Sequence, residues 1–209
     1  ASGTDAILVG AAIEAVAEGT FAADNNATEL VFKTGASAAA DAKMILTSGG
    51  NLGIGTDSPD TIIHGMHSTS PTLTLERNST SLADNNVIGE IAMAHKDSND
   101  AGTAVRIIGR AEGTAGAAGL AFNTGTPTSI EERMRIDSSG NVGIGRTPVA
   151  YGSFTVLNVA GSNGAIQKII HTGSNVELQA YASSSLTNIG SATNHPLVLS
   201  TNNAERMRI

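Results

Sequence analysis

Residues 133–145 read Arg-Met-Arg-Ile-Asp-Ser-Ser-Gly-Asn-Val-Gly-Ile-Gly, and residues 43–55 read Lys-Met-Ile-Leu-Thr-Ser-Gly-Gly-Asn-Leu-Gly-Ile-Gly. These two copies are offset by 90 positions without a gap. A third copy begins at Leu197 and continues through Met207 to Ile209. Repeated units of this kind build stacks in which each unit buries its apolar edge against the next one. The repeat therefore favours a structural or attachment role over an enzymatic one.

The repeat also predicts how the chain is divided. We predict that residues 1–59 are the C-terminal part of a first β-repeat module and that residues 60–149 are a complete second module. Residues 150–209 are then a third module, truncated before its glycine turn. Pro59 and Pro148 mark the boundaries, because proline disfavours helix before it and cannot donate to a β-ladder. Since no starting methionine or secretory signal is visible, we expect a segment of a longer protein.

Apolar residues recur at a spacing of two, which is typical of half-buried strands. This alternation predicts strands at 73–75, 91–93, 105–107, 134–136 and 176–178, and Asn, Asp and Gly clusters predict turns at 84–86, 97–100, 139–141 and 162–164. A helix over residues 5–18, capped by Asp5, is an alternative. The same region aligns with the strand at 105–107, so the strand interpretation is preferred.

The composition argues against one large globular core. The chain of 209 residues has six aromatic residues, no tryptophan and 24 glycines. Aromatic side chains usually supply much of a compact core, each burying about 150–250 Å². We therefore expect thin layers of Ile, Leu, Val and Met that are completed by neighbouring chains.

The glycine motif at the end of each copy has a mechanical interpretation. If a turn forms at 50–51 and at 140–141, the apolar residues that follow point to one side and the glycines to the other. We predict that Leu52 and Ile54, like Val142 and Ile144, face a core. The alternating glycines would leave room for another backbone, as three chains winding around one axis would require. A simple bulge or bend in a solitary chain is the alternative.

Charge and residue usage exclude several functions. The net charge of −7 disfavours nucleic acid as a partner, and the absence of cysteine removes disulfides and thiolate metal sites. The longest apolar run, 6–9, is too short to span a membrane. No cofactor is predicted.

Two motifs are candidate ion sites. His64 and His67 could bind a metal, but a spacing of three places them on opposite faces of a strand. Asp97 and Asp100 fall in a loop that lacks the ligands of a helix–loop–helix calcium site, so a turn is preferred. The sequence leaves open whether either pair binds an ion, and we predict no catalytic, cofactor-binding or metal residue.

Acidic and basic residues precede the Met-x-Ile strand in each copy: Asp41 and Lys43 in the first, residues 131–133 in the second, and Glu205 and Arg206 in the third. Such pairs could connect adjacent chains and set their register. Hydrolase and nucleotide-binding motifs are absent from the sequence. With two tyrosines and no tryptophan, a sugar-degrading enzyme is the weakest interpretation.

Residues 131–145, Glu-Glu-Arg-Met-Arg-Ile-Asp-Ser-Ser-Gly-Asn-Val-Gly-Ile-Gly, resemble a repeat of bacteriophage tail-fibre and tail-spike proteins. That repeat is found upstream of endosialidase-type intramolecular chaperone domains. Residues 73–78 and 193–197 are also similar to segments of those fibres, and the resemblance is strongest from 71 to 149. It implies a β-rich, elongated, homotrimeric shaft used in virion attachment. Nothing in the sequence resembles the self-cleaving chaperone, so that activity is not expected.

We therefore expect an all-β chain: an elongated repeat fibre of short strands, forming an intertwined homotrimeric β-prism or β-helix shaft. The expected function is that of a structural tail-fibre protein of a phage virion that supports host attachment, and not of an enzyme. Expected partners are two further copies of the chain, other tail or baseplate proteins, and a host receptor (glycan or protein) bound by a distal region outside this chain. Neither nucleic acid binding nor membrane insertion is expected. A bacterial cell-surface adhesin or self-assembling extracellular filament is the alternative.

Overall fold

The computed structural model describes residues 8–36, 38–174 and 176–209. Within these ranges the chain forms β-strands, turns and extended segments without any helix, which confirms the all-β prediction. Consequently, the described residues contain no helix that is long and apolar enough to cross a membrane. Asp5, the suggested helix cap, lies outside the described residues, while the region after it forms a strand, as preferred. The chain divides into two compact units, up to Thr74 and from Leu75 onward.

The first unit contains one sheet whose strands follow the chain order. The strands are β1 (Ala11–Ala17), β2 (Thr28–Thr34), β3 (Asp41–Leu46), β4 (Leu52–Ile54) and β5 (Ile63–Gly65). Neighbouring strands are antiparallel up to β4, and β5 then runs parallel to β4.

The second unit contains a six-stranded sheet and two smaller ones. The large sheet holds β6 (Val87–His95), β7 (Gly102–Ala111), β8 (Ala118–Thr126), β9 (Ser129–Ile136), β10 (Val142–Ile144) and β11 (Leu157–Val159). The smaller sheets hold β12 (Ala165–His171), β13 (Val176–Ala182) and β14 (Thr187–Ser191), and β15 (Val198–Thr201) with β16 (Ala204–Arg208). Strands β7 to β11 reproduce the order and directions of β1 to β5, with β6 added at the edge.

The sequence repeat is reproduced in the strand register. Phe32 pairs with Met44 in the first copy, Phe122 with Met134 in the second, and Leu199 with Met207 in the third. In all three hairpins the register shifts at the next pair, because the residue before the methionine is skipped. Such a bulge places two residues of one strand opposite one residue of its partner. The repeat therefore encodes a bulged hairpin, not only a strand pattern.

Each large sheet has one face covered by its own chain. This covered face includes Val31 and Ile45 in the first unit, which are 4% and 3% exposed. In the second unit it includes Ile108 and Ala121, which are 1% and 0% exposed. These residues lie in one cross-strand row of each sheet, and the same rows continue into the glycine motif at Gly53 and Gly143. The fully buried apolar side chains of the described residues are therefore few, and Ile108 is the largest of them.

The segment after the glycine motif crosses the covered face before it returns as a parallel strand. A Cβ atom on Gly53 would lie 2.5 Å from the carbonyl oxygen of Thr56, and one on Gly143 would collide with the carbonyl of Arg146. Gly55 has φ 77°, Gly145 has φ 73°, and a Cβ on either would meet the backbone of the returning strand. Close backbone passage was predicted at these glycines. The passing backbone observed belongs to the same chain.

Most of the predicted strands are present, but one is not. The strands at 91–93, 105–107, 134–136 and 176–178 are present, in β6, β7, β9 and β13. The predicted strand at 73–75 is wrong: this segment has no regular secondary structure and joins no sheet, and Leu73 is 79% exposed. Alternation makes a strand only where a neighbouring strand accepts its hydrogen bonds, and the described chain provides none there. Turns form at Asn85, with φ 63°, and at Gly140, with φ 82°.

Candidate assembly surface

The second face of the first unit's sheet is apolar and open. One cross-strand row contains Ile13, Phe32, Met44 and Ile54, and the adjacent row contains Leu30, Leu46, Leu52 and Ile63. We call these two rows the apolar face of the first unit. Ile13 is 68% exposed and Ile63 is 70% exposed. Several large apolar side chains of this sheet therefore lie on the face that the described part of the chain leaves partly uncovered.

The six-stranded sheet repeats this arrangement. One row crosses all six strands through Ile91, Ile107, Phe122, Met134, Ile144 and Val159. The next row adds Leu120, Ile136, Val142 and Leu157. We call these rows the apolar face of the second unit. No charged residue interrupts either row of either apolar face.

The residues of the glycine motif that were predicted to face a core lie on these faces. Leu52 and Val142 are half-buried, whereas Ile54 is 49% and Ile144 is 41% exposed. The described part of the chain leaves the latter two side chains open to solvent. Contiguous exposed apolar patches of this kind mark interaction sites in soluble proteins.

A charged pair lies at the bulge beside each apolar face. The Lys43 ammonium lies 3.6 Å from the Asp41 carboxylate, and the Arg133 guanidinium lies 2.9 Å from the Glu131 carboxylate. These pairs occupy equivalent positions of the repeat. In each pair, both partners belong to the same chain. All four side chains are more than half exposed. Such pairs contribute little to stability, about 0–1 kcal/mol, and remain available to contact a neighbouring chain.

A partly buried ionic network occupies the covered face of the second unit, with Arg135 as its most buried member. The Arg135 guanidinium donates two hydrogen bonds to Glu132, at 2.9 and 2.7 Å, and a third to the Asn85 side chain at 3.0 Å. Arg110 lies 3.7 Å from the same glutamate. The hydrogen bond from Glu132 raises the pKa of Arg135, although burial acts in the opposite direction. In the first copy the positions of Glu132 and Arg135 hold Ala42 and Ile45.

The third copy keeps the ion pair without the burial. Arg208 donates two hydrogen bonds to Glu205, at the same spacing in the repeat as Arg135 and Glu132. Arg206, the skipped residue, donates instead to the hydroxyl of Thr201 at 2.6 Å. Sequence reasoning noted these charges but missed the bulge that brings them together. The matching Glu-x-x-Arg spacing was the available signal.

A glutamate after β1 and after β7 fastens the turn of each module. Glu18 accepts hydrogen bonds from the Ser48 N–H and hydroxyl, and Glu112 accepts one from the Ser138 N–H at 2.8 Å. The hydroxyl of Ser48, and then its N–H, lower the pKa of Glu18. The repeated Ala-Glu-Gly-Thr sequence was the signal for this contact, which sequence reasoning did not assign.

Asp137 and Asn141 hold the second copy's turn. Burial alone would raise the pKa of Asp137, but hydrogen bonds from the side chain and N–H of Asn141 and from the Ser139 N–H lower it. The Asn141 side chain is 2% exposed, and its oxygen accepts the Val156 N–H at 2.9 Å. This asparagine therefore ties the glycine turn to the crossing segment.

The two candidate ion sites are local turns. His64 lies in β5 and accepts the Asp60 N–H at 3.3 Å, while His67 lies beyond the strand and contacts Thr69 at 3.0 Å. Asp97 accepts the Asn99 N–H at 2.9 Å, which forms an Asx turn. Within the described ranges, no group of three or more His, Cys, Asp or Glu residues is arranged to hold a metal ion.

Two aromatic rings are displayed on the segment that precedes β11. Tyr151 and Phe154 stack with ring centroids 6.3 Å apart and an interplanar angle of 28°. Their backbones form a β-bridge, and the Phe154 N–H donates to the Tyr151 carbonyl at 3.1 Å. Tyr151 is 76% exposed and Phe154 is 69% exposed. Tyr181, the other tyrosine, lies in β13.

No protein-family model matches this chain, and no curated protein is significantly similar to it. The functional inference therefore rests on the geometry of the chain and on the sequence resemblance of its repeat.

Proposed function

We propose that this chain is a shaft segment of a trimeric phage tail fibre, in which the apolar faces of three copies pack around a common axis. The open row from Ile91 to Val159 is the observation that carries this proposal. Burying an Ile, Phe or Met side chain contributes about 1.5–3 kcal/mol. The proposal of three copies and of a place in a virion rests on the resemblance of residues 131–145 to the repeat of phage tail fibres.

Two further features support a mechanical role. The modules have the same register and the same bulge, so neighbouring copies can meet through one repeated contact. The exposed charged pairs at Lys43 and Arg133 occupy equivalent positions of the sequence repeat. Like-charge contacts between misaligned copies would then disfavour wrong registers.

The test combines mass with shape and location. Light scattering should give three times the chain mass of 21.1 kDa, and electron microscopy should show rods. Antibodies against the purified chain should label the tail appendage of an intact virion that carries it. A folded monomer, or labelling of a bacterial surface in place of the virion, would contradict the proposal.

A secreted self-assembling filament is the second candidate, and the edge strand β6 favours it. This strand has nine residues with a single acidic side chain, Glu90, and ends the six-stranded sheet. Exposed edges of that length can accept a strand from another copy. A mass that grows continuously with concentration indicates the filament, whereas a fixed mass of three chains indicates the shaft.

A further inference from the structure

The segment between the glycine motif and the next strand differs in length between the two units. Seven residues, 56–62, connect Gly55 to β5, whereas eleven residues, 146–156, connect Gly145 to β11. The additional four-residue length accommodates the turn from Tyr151 to Phe154, which is absent from the corresponding segment of the first unit. In repeat proteins, insertions specific to one repeat form surface loops and are frequently used for binding.

The insertion emerges on the covered side of the sheet. Pro148 lies against Gly143, which is in the same row as Ala121. Val149 donates a hydrogen bond to the side chain of Asn158, which continues this row. The aromatic pair is thus on the side opposite Ile144 and Val159. In an assembly closed through the apolar faces, a placement that rests on the proposed function, both rings stay at the outer surface.

The insertion presents two exposed aromatic rings and a phenolic hydroxyl on a short turn. A backbone hydrogen bond closes the four-residue turn, and Gly152 adopts φ 57° within it. Both rings are more than two-thirds exposed, so most of their aromatic surface is accessible to a ligand. Across the described residues, no hydrogen bond occupies the Tyr151 hydroxyl. Ser153 and Thr155, on either side of Phe154 in the sequence, carry further hydroxyl groups.

We propose that Tyr151 and Phe154 form a saccharide-binding site on the outer surface of the second unit. The aliphatic C–H face of a pyranose ring is slightly electropositive and matches the electronegative face of an aromatic ring. The surrounding hydroxyl groups suit the equatorial hydroxyls of a neutral sugar. Because one shallow platform buries little surface, we expect weak binding, with a Kd of about 1 mM. Avidity from three copies would strengthen binding to a polymer.

The test uses the assembled chain with maltohexaose, mannohexaose and N-acetylchitohexaose as probes, each to about 10 mM, a range that covers the expected Kd. Saturation-transfer NMR reports which ring protons contact the sugar, and calorimetry gives the Kd. We expect at least one probe to saturate. Tyr151→Ala and Phe154→Ala should each weaken it about tenfold or more, a change of about 1.4 kcal/mol. Phe21→Ala is the matched control, because Phe21 is 58% exposed and has no stacked partner in the described chain.

Phe154→Leu keeps an apolar side chain of similar size but removes the aromatic face, so it should lose binding while the fold is retained. No saturation by any of the three probes would overturn the proposal, as would equal binding by the Phe154→Leu variant. A loss of lateral association between assemblies in the Tyr151→Ala variant, without any sugar binding by the wild type, would assign the rings to protein contact. Mass is measured on every sample, so failure of assembly is distinguished from failure of binding.

Discussion

Glu132 and Arg135 are three positions apart in strand β9, yet their side chains share one face of the sheet. In a regular strand, side chains at this spacing point to opposite faces. The bulge at Arg133 adds one residue, so Glu132 is opposite Asn123 while Arg135 is opposite Ala121. The two charges therefore meet on the covered face, where Arg135 is 7% exposed. The same bulge places Ala42 and Ile45 together in the first module.

Removing the glutamate should destabilise the second unit. Glu132→Ala leaves the buried Arg135 without its ionic partner, and we expect a loss of about 2–4 kcal/mol in unfolding free energy. The double variant Glu132→Ala, Arg135→Ile copies the first module at these two positions and should be more stable than the single variant, because Arg135 is no longer left buried without its partner. Arg110 keeps its hydrogen bond to the Asn85 carbonyl in both variants. Urea unfolding at fixed protein concentration measures both values. A double variant that is less stable than Glu132→Ala would contradict this prediction, because apolar residues at both positions would then fail to replace the ion pair.

The glycine motif should tolerate no side chain where the chain crosses itself. Gly53→Ala places a methyl group 2.5 Å from the Thr56 carbonyl, so we expect about 2–3 kcal/mol of destabilisation. Gly65→Ala is the control within the same sheet, since nothing lies within 4 Å of the added atom. Thermal unfolding compares the two variants. Equal melting temperatures would mean that the crossing segment is not held against Gly53.

Acid should loosen the glutamate contact that fastens the first turn. Hydrogen bonding by Ser48 lowers the pKa of Glu18 below its usual 4.5, so this contact stabilises the fold above that pH. Its contribution is lost as the pH falls through the lowered folded value. Between about pH 6 and pH 3, Glu18→Gln should therefore lose less stability than the wild type. If the unfolding free energies of the two proteins depend on pH in the same way, Glu18 does not contribute to the loss of stability in acid.

Acid should also weaken the turn of the second module, through protonation of Asp137. Its pKa lies below the usual 3.8, because the hydrogen bonds from Asn141 and Ser139 outweigh the effect of burial. Its stabilising contribution is therefore present above pH 3.8 and disappears in stronger acid. Asn141→Ala should weaken the turn at neutral pH and flatten the pH profile below 3.8. A profile as steep as that of the wild type would contradict this account.

The sequence predicted the repeated strands and turns because alternation and Gly-Asn pairs are local signals. It did not predict that Leu73 stays outside the sheets, because strand formation depends on a partner that no local pattern reveals. The position of Ile144 illustrates the same limit. Its alternation correctly placed it on an apolar face, but whether that face is covered depends on other chains. The bulge at Arg133 also escaped detection, since a single skipped residue leaves the repeat spacing unchanged.

The most direct measurement is the mass of the wild type and of two matched glutamate variants by light scattering. Ile144→Glu places a charge in the apolar face, whereas Ile62→Glu alters a side chain that is 76% exposed in the crossing segment. We predict three times 21.1 kDa for the wild type and for Ile62→Glu, and a smaller or aggregated species for Ile144→Glu. A wild type that is a folded monomer, or an Ile144→Glu variant that still forms the trimer, would contradict the assembly through the apolar faces.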